Sequence, residues 1–426
     1  MRILMVTNTF APHVGGVARS VMAFTDEYRR RRHEVLVVAP EFCGATAEEE
    51  GVLRVRALQN FNGSDFSVVL KPTRRLRRVV ETFAPDLIHS HHPFLLGSTA
   101  LRLARSLRVP LAFTHHTMYE RYTHYVPGDS PALKRFVERL STNYANLCAH
   151  VFAPSASTST TLRERQVDVP IEVLPTGVRL GDYDCGNGAG LRSALGLPDE
   201  AFVVGYVGRL AEEKNLPFLA RAFVRFLQQQ PQARALIVGD GALRNGLQQA
   251  FGEAGLQERV RFTGMLQGAL LVSAYKAMDV FAFASQTETQ GMVLVEAMAA
   301  GVPVVALDAS GAREVVVDGT NGRLLVAADE NAFCDGIQSV RANIHTLRAG
   351  ALRTAQDWAI ERCADRALAR YEHLLAQPAH APLAMDEAWY RTARLLRADW
   401  DLLGAAMGAA AKALQGRLRL PAADAG

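Results

Sequence analysis

Short unbroken apolar runs alternate with helical patterns along the whole of this 426-residue chain. Arg2–Thr7, Glu34–Ala39, Leu87–His89, Leu111–Thr114 and His150–Ala153 read as strands in the first half. Phe202–Val207, Ala235–Val238, Val260–Phe262, Val280–Phe283 and Val304–Leu307 read as strands in the second. Runs that are apolar at consecutive positions, rather than at every other one, suit strands buried on both faces of a parallel sheet. The pattern predicts an α/β chain of two Rossmann-like domains, whose ligand loops leave the strand C-termini and line a cleft. The first domain is expected over 1–180 and the second over 201–360, with a Gly- and Asn-rich linker in 181–200, centred on Gly181–Gly190. Ala364–Ala376 then reads as a helix, within 361–380, before Pro378 and Pro382. Further on, Trp389, Leu396, Leu403 and Ala410 recur every seven residues and alternate with Ala393, Trp400, Met407 and Leu414. That stripe predicts an amphipathic helix over 384–418, flanked by Arg391, Arg394, Arg397, Lys412 and Arg417. It suits packing on the core or on a second subunit, as in a homo-oligomer, with a membrane-surface role as the alternative.

Composition narrows the setting. The five cysteines (Cys43, Cys148, Cys185, Cys334, Cys363) are odd in number and never in Cys-x-x-Cys spacing, which fits a reducing cytosol and neither disulfides nor zinc. Met1 leads within a few residues into a strand, so no signal peptide is expected. No run reaches the roughly 18 apolar residues of a membrane span. The charge is uneven: residues 1–180 hold 23 Lys and Arg against 16 Asp and Glu, a balance of +7, and the remainder 24 against 27, a balance of −3. A basic first half points to an anionic surface. On the helix that Pro72 starts, Lys71, Arg74, Arg75 and Arg78 share one face, with Arg77 beside it, over Leu76, Val79, Val80 and Phe83. A basic face over an apolar one can hold an anionic leaflet, while a solvated charged face remains the alternative. The basic segments lack interleaved aromatics and any binding module, so nucleic acid is a poor partner.

The chemistry concentrates in Glu288-Thr-Gln290-Gly291-Met292-Val-Leu-Val-Glu296. Val280–Ala284 before it is a buried strand, and the residues after Gly291 are good helix formers closed by Gly301-Val-Pro303. Glu288 therefore sits on the loop and Glu296 in the helix, with free helix-end amides between them to seat a diphosphate. Carboxylates repel phosphate but accept hydrogen bonds from sugar hydroxyls. Together these groups describe a nucleotide-sugar pocket. Arg209 and Lys214, on the loop after the strand Val203–Val207 and Gly208, supply the cations that a diphosphate leaving group needs. Gly15-Gly16, after the first strand, lets backbone approach a ligand closely.

Glu288 and Glu296 match the E-x7-E motif of the retaining GT-B glycosyltransferases of family 4, and the resemblance covers nearly the whole chain. The start, from Met1 through Gly15-Gly16, looks like that family's first strand and glycine loop, and Gly208-Arg209 to Lys214-Asn215 like its phosphate-binding arginine and lysine. Thr114-His-His-Thr-Met-Tyr-Glu120-Arg-Tyr122 is similar to the bacterial members that glycosylate diacylglycerol. The resemblance implies a GT-B fold, with the helix in 361–380 crossing back to the N-terminal domain. It also implies retention of anomeric configuration without a metal or other cofactor. Arg209, Lys214 and the amides after Gln290, with Gly291 and Met292, would hold the diphosphate. Glu288 would bind the transferred sugar and Glu296 the ribose. Of His89, His91, His92, His115 and His116, the His before Thr faces the reacting sugar in that family, which singles out His116, with His115 as the alternative. Asp182-Tyr-Asp184 is a formal Asp-x-Asp manganese motif, but it lies in the linker, and no carboxylate or Cys stands at ligand spacing from the histidines.

The expectation is a glycosyltransferase at the inner face of a membrane that moves a hexose, UDP-glucose being the leading donor, to a lipid such as diacylglycerol. The open alternatives are the same chemistry on a soluble or polyprenyl-linked sugar, or a non-catalytic nucleotide-sugar-binding protein. The long C-terminal stretch departs from the lipid glycosyltransferase pattern and leaves acceptor and oligomer open.

Overall fold

A computed structural model describes residues 1–13, 15–42, 49–58, 68–69, 74–120 and 130–377. The amphipathic stretch 384–418, Lys71 and Tyr122 lie outside these. In the first half the elements are β1 (Arg2–Val6), α1 (Gly16–Arg30), β2 (Glu34–Pro40), β3 (Val52–Val55), β4 (Ala57–Leu58), β5 (Val68–Val69), α2 (Arg74–Phe83), β6 (Leu87–Ser90), α3 (Leu96–Leu107), β7 (Leu111–Thr114), α4 (Pro131–Asn146), β8 (His150–Ala153), α5 (Ala156–Glu164) and β9 (Ile171–Val173). The second half follows with α6 (Gly188–Ala194), β10 (Val203–Val207), α7 (Leu216–Gln229), β11 (Arg234–Val238), α8 (Arg244–Glu253), β12 (Val260–Gly264), α9 (Gly268–Lys276), β13 (Val280–Phe283), α10 (Met292–Ala299), β14 (Val304–Leu307), β15 (Gly322–Leu325), α11 (Glu330–Ala342), α12 (Ile344–Asp357) and α13 (Ile360–Ala376).

Two parallel sheets result, in the orders β3-β2-β1-β6-β7-β8-β9 and β12-β11-β10-β13-β14-β15, with a small antiparallel β4-β5 pair. Each large sheet is wound outward from its centre in both directions, so each has a point where the chain reverses: between β1 and β6, and between β10 and β13. Ligands of such sheets sit in the crevice beyond the strand C-termini at that point. Every strand predicted from an apolar run is present. Of the two large sheets the strands missed, β3, β9 and β15, are short edge members carrying Arg54, Glu172 and Arg323, which break the apolar run; the two-residue β4 and β5 were also missed.

Both faces of each sheet are covered by apolar clusters. On the first sheet Leu4, Val6 and Ile88 pack one way, and Ile3, Met5 and Phe24 the other. That second cluster includes Ile360, Cys363, Ala367 and Tyr371, so α13 returns to the first domain and lies beside α1. Val178 anchors the return, donating its N–H to the Trp358 carbonyl at 2.9 Å and accepting from the Ile360 N–H at 2.8 Å.

Two expectations change. The Gly181–Gly190 segment contains a 3-10 turn, Leu180–Tyr183, and the start of α6. Asn187 caps α6 by accepting from the Gly190 N–H at 2.8 Å and ties it to α9 through Ser273 Oγ at 2.9 Å. Glycines at both ends of this run read as linker, but one well-placed cap is enough to start a helix. The apolar face of α2 is also not open: Leu76 and Val80 are buried in the first sheet's core, as the apolar stripe of a surface helix normally is. Arg74, Arg75, Arg77 and Arg78 remain exposed, with Arg77 paired to Glu81 at 2.7 Å.

Candidate active site

At the reversal point of the second sheet, β13 ends in a loop that carries Glu288, and α10 begins on Gly291. Gly291 has φ +66°, and a Cβ there would lie 2.8 Å from the Gly311 carbonyl oxygen, so both conformation and space call for glycine. A glycine has no side chain to cap the helix, and the first amides of α10 are left for another acceptor. The loop after β10 faces this one. Lys214 donates from Nζ to Glu288 Oε1 in a half-buried ion pair. Arg209, 63% exposed, lies 2.9 Å from Glu213 Oε1. Ser285 Oγ and Thr287 Oγ1 both donate to the Glu213 carbonyl, which laces the two loops together.

Glu296 points into the cleft from one turn inside α10. Tyr275 donates its hydroxyl to Oε2 at 2.8 Å, and Arg19 reaches Oε1 at 3.2 Å from the first sheet's α1. Gln290 is 7% exposed; its Oε1 accepts from Thr176 at 2.9 Å, while its Nε2 is buried without a partner. On the opposite wall Gly15 precedes α1 in extended conformation, and a Cβ on Gly16 would meet nothing within 4 Å. A second bridge spans the domains: Glu314 accepts from the Ser157 N–H at 3.0 Å and from the Ser157 hydroxyl, at the start of α5.

The histidines gather at the C-terminal ends of β6 and β7. His91 Nδ1 and His116 Nε2 are 2.9 Å apart. Behind them His89 joins Thr114 Oγ1 at 2.7 Å through Nε2 and the Tyr371 hydroxyl at 2.6 Å through Nδ1. His92 Nδ1 accepts from the Asn8 N–H at 3.1 Å. All five rings are neutral at ordinary pH. Burial pushes His89 and His92 down to about 3 and His115 to about 4. It also holds His91 and His116 well below the usual value, with the neighbouring rings adding to the effect. His115 packs against Phe113 and Tyr119, and both its ring nitrogens are buried without a partner. Among the described residues no group of three or more His, Cys, Asp or Glu comes together as a metal site. Asp182 and Asp184 lie on the turn before α6.

Residues 14–182 match the Glycosyltransferase Family 4 model and residues 190–349 the model of Glycosyl transferases group 1. The chain is 32% identical over 387 residues to the GDP-mannose-dependent alpha-mannosyltransferase of Mycolicibacterium smegmatis, covering 88% of this chain and 98% of that one. It belongs to the GT-B glycosyltransferases of family 4. This glycosyltransferase is also 29% identical over 312 residues to the alpha-monoglucosyldiacylglycerol synthase of Streptococcus pneumoniae, covering 72% of this chain and 71% of that one. Its fold is that of Anabaena HepE solved with UDP, with a TM-score of 0.69 and 23% identity over 88% of this chain and 100% of that one. The GT-B expectation and the transferase class therefore hold.

The sequence reading missed Arg19, Tyr275 and Thr176, whose partners lie 277, 21 and 114 positions away. Arg19 alone carried a local signal. It is a cation near the first turn of a helix that has no acidic residue there, where the macrodipole favours anions.

Proposed function

We propose that this glycosyltransferase moves glucose from UDP-glucose to a membrane lipid of the diacylglycerol type, with retention and without a metal. The observation that carries the donor half is the pairing of Lys214 with Glu288 beside the uncapped start of α10. Lys214, Arg209 and the amides at Gly291 and Met292 would hold the diphosphate. As the glycosidic bond breaks, negative charge grows on the leaving phosphate, and fixed cations and helix-end amides favour that state. Glu288, already oriented by Lys214, would accept hydrogen bonds from the transferred sugar, and Gln290 Nε2 has an N–H to spare for the same ligand. Glu296, held by Tyr275, would take the ribose hydroxyls. His116 would lie beside the anomeric carbon as a neutral ring.

Similarity to the Streptococcus pneumoniae synthase supports the lipid acceptor. The exposed arginines of α2 support attachment to an anionic leaflet by charge alone, since the helix's apolar side is committed to the core. No helix among the described residues is long and apolar enough to cross a membrane. A second reading, GDP-mannose as donor, is favoured by the higher identity and fuller coverage of the Mycolicibacterium smegmatis relative.

The test offers UDP-glucose and GDP-mannose separately to the protein on vesicles of diacylglycerol and anionic lipid, with EDTA present, and reads the product by mass spectrometry and its anomer by NMR. The proposal expects α-glucosyl diacylglycerol from UDP-glucose. Transfer from GDP-mannose alone would replace it with the second reading. A β-linked product, or an activity restored only by manganese, would overturn the mechanism.

A further inference from the structure

The transferred sugar's proposed neighbour, His116, has one ring nitrogen already committed. Its Nε2 meets His91 Nδ1 at 2.9 Å, with the two rings stacked at a centroid distance of 5.2 Å. Two neutral imidazoles share one proton in such a contact, so the tautomer of one ring dictates that of the other. If His116 donated, His91 would carry its remaining proton on Nε2, which is buried and has no partner. If His91 donates, that buried nitrogen is a bare lone pair. A stranded buried N–H is the rarer and costlier arrangement. His91 is itself fixed. It is 1% exposed, its backbone N–H donates to the Val6 carbonyl at 2.9 Å, and its ring lies against His89 at a centroid distance of 4.2 Å.

We propose that His91 is a positioning residue: its Nδ1–H donates to His116 Nε2, which fixes His116 as the Nδ1–H tautomer and makes it a hydrogen-bond donor to an oxygen of the bound sugar. Burial keeps both rings neutral, so the donor is an imidazole and stays one across the physiological range. A donor there favours an oxygen that can only accept, such as a ring, glycosidic or phosphate oxygen, which the lone pair of the other tautomer would repel. This rests on the reading of His116 as the ring beside the sugar.

The test combines nitrogen NMR with kinetics. In the 15N-labelled wild-type protein, His116 should show the shifts of a single Nδ1–H tautomer. His91→Phe, which keeps ring shape without the hydrogen bond, should release that preference. It should lower kcat about tenfold, the order expected for one hydrogen bond, while UDP affinity stays within twofold. His91→Asn, whose side-chain amide can place an N–H where Nδ1–H was, should restore both the tautomer and most of the rate. An Nε2–H tautomer of His116 in the wild-type protein overturns the inference without any variant. So does an unchanged kcat in His91→Phe, or equal losses in His91→Phe and His91→Asn. Because the tautomer is read independently of transfer, a protein with fixed Nδ1–H but no sugar transfer would refute the assigned reaction and leave the pairing standing.

Discussion

At the C-terminal edge of the first sheet five histidines are at most 8% exposed; His91 pairs with His116, and His89 with Thr114 and Tyr371. At the same edge of the second sheet the groups are ionic and more open: Arg209 is 63% exposed, and Lys214 and Glu288 pair at 17% and 23%. One wall of the cleft is a neutral polar network inside the core, and the other is a charged loop pair at its rim. The difference suits the roles proposed for each. A diphosphate needs permanent charge that water does not fully screen, and two facing loops supply it. The reacting carbon needs geometry, which buried rings fix at the cost of desolvation.

The contrast has consequences of decreasing size. The largest is in acid. Each buried histidine has a folded value below that of the unfolded chain, about 6.5. Both states are uncharged above that pH; below it the unfolded chain alone takes protons, so stability falls with pH until the folded values near 3 to 4 are reached. For His89, His92 and His115 the loss by pH 5 is up to about 2 kcal/mol each. Urea unfolding at pH 7 and pH 5 should show a drop of several kcal/mol. Hydrogen exchange should place it in β6 and β7 before β10 and β13. A flat profile would mean the histidines are hydrated.

Next is the charge outside the cleft. Changing Arg74, Arg75, Arg77 and Arg78 to Gln should abolish salt-sensitive binding to anionic vesicles, since each charge near the leaflet contributes on the order of 1 kcal/mol. Transfer to a soluble acceptor should be unaffected. Equal sedimentation of variant and wild type would remove α2 from the membrane contact.

Within the charged wall, Lys214→Ala should lower kcat/KM for the nucleotide sugar by about 1.5–3 kcal/mol, the value of a hydrogen bond to a charged group. Folding should be nearly unchanged, because the pair is partly open to water. An unchanged kcat/KM would refute the phosphate role.

The smallest effect belongs to the neutral wall. Tyr371→Phe removes the hydroxyl that links α13 to His89 and Tyr28, and should cost about 1–2 kcal/mol of stability by leaving buried partners unmet. Donor KM should not change. A loss of donor affinity would mean that α13 reaches further into the site than its contacts indicate.

The two walls were unequally legible in the sequence. The charged wall is local: strand, loop, glycine and helix follow one another from Val280 to Ala299, and Arg209 and Lys214 follow their own strand, so the order of elements puts these groups on strand-end loops. The histidine wall is a tertiary object. His91 and His116 follow the ends of neighbouring strands, 25 positions apart, and which nitrogen meets which is decided by register and ring rotation. Glu296 lies between the two cases. Its place on the helix followed from the pattern, but its partner Arg19 comes from the other domain. The basic helix α2 was read correctly as amphipathic, but its apolar side went to the core because periodicity does not say what a stripe faces.

Glu296 is proposed to hold the nucleotide and Glu288 to serve the sugar. Calorimetry of UDP with the wild type, Glu296→Ala and Glu288→Gln tests it directly. UDP should bind at least tenfold more weakly to Glu296→Ala, and at near wild-type strength to Glu288→Gln, which should show a large loss of turnover. Wild-type UDP affinity in Glu296→Ala, with binding lost in Glu288→Gln, would contradict it.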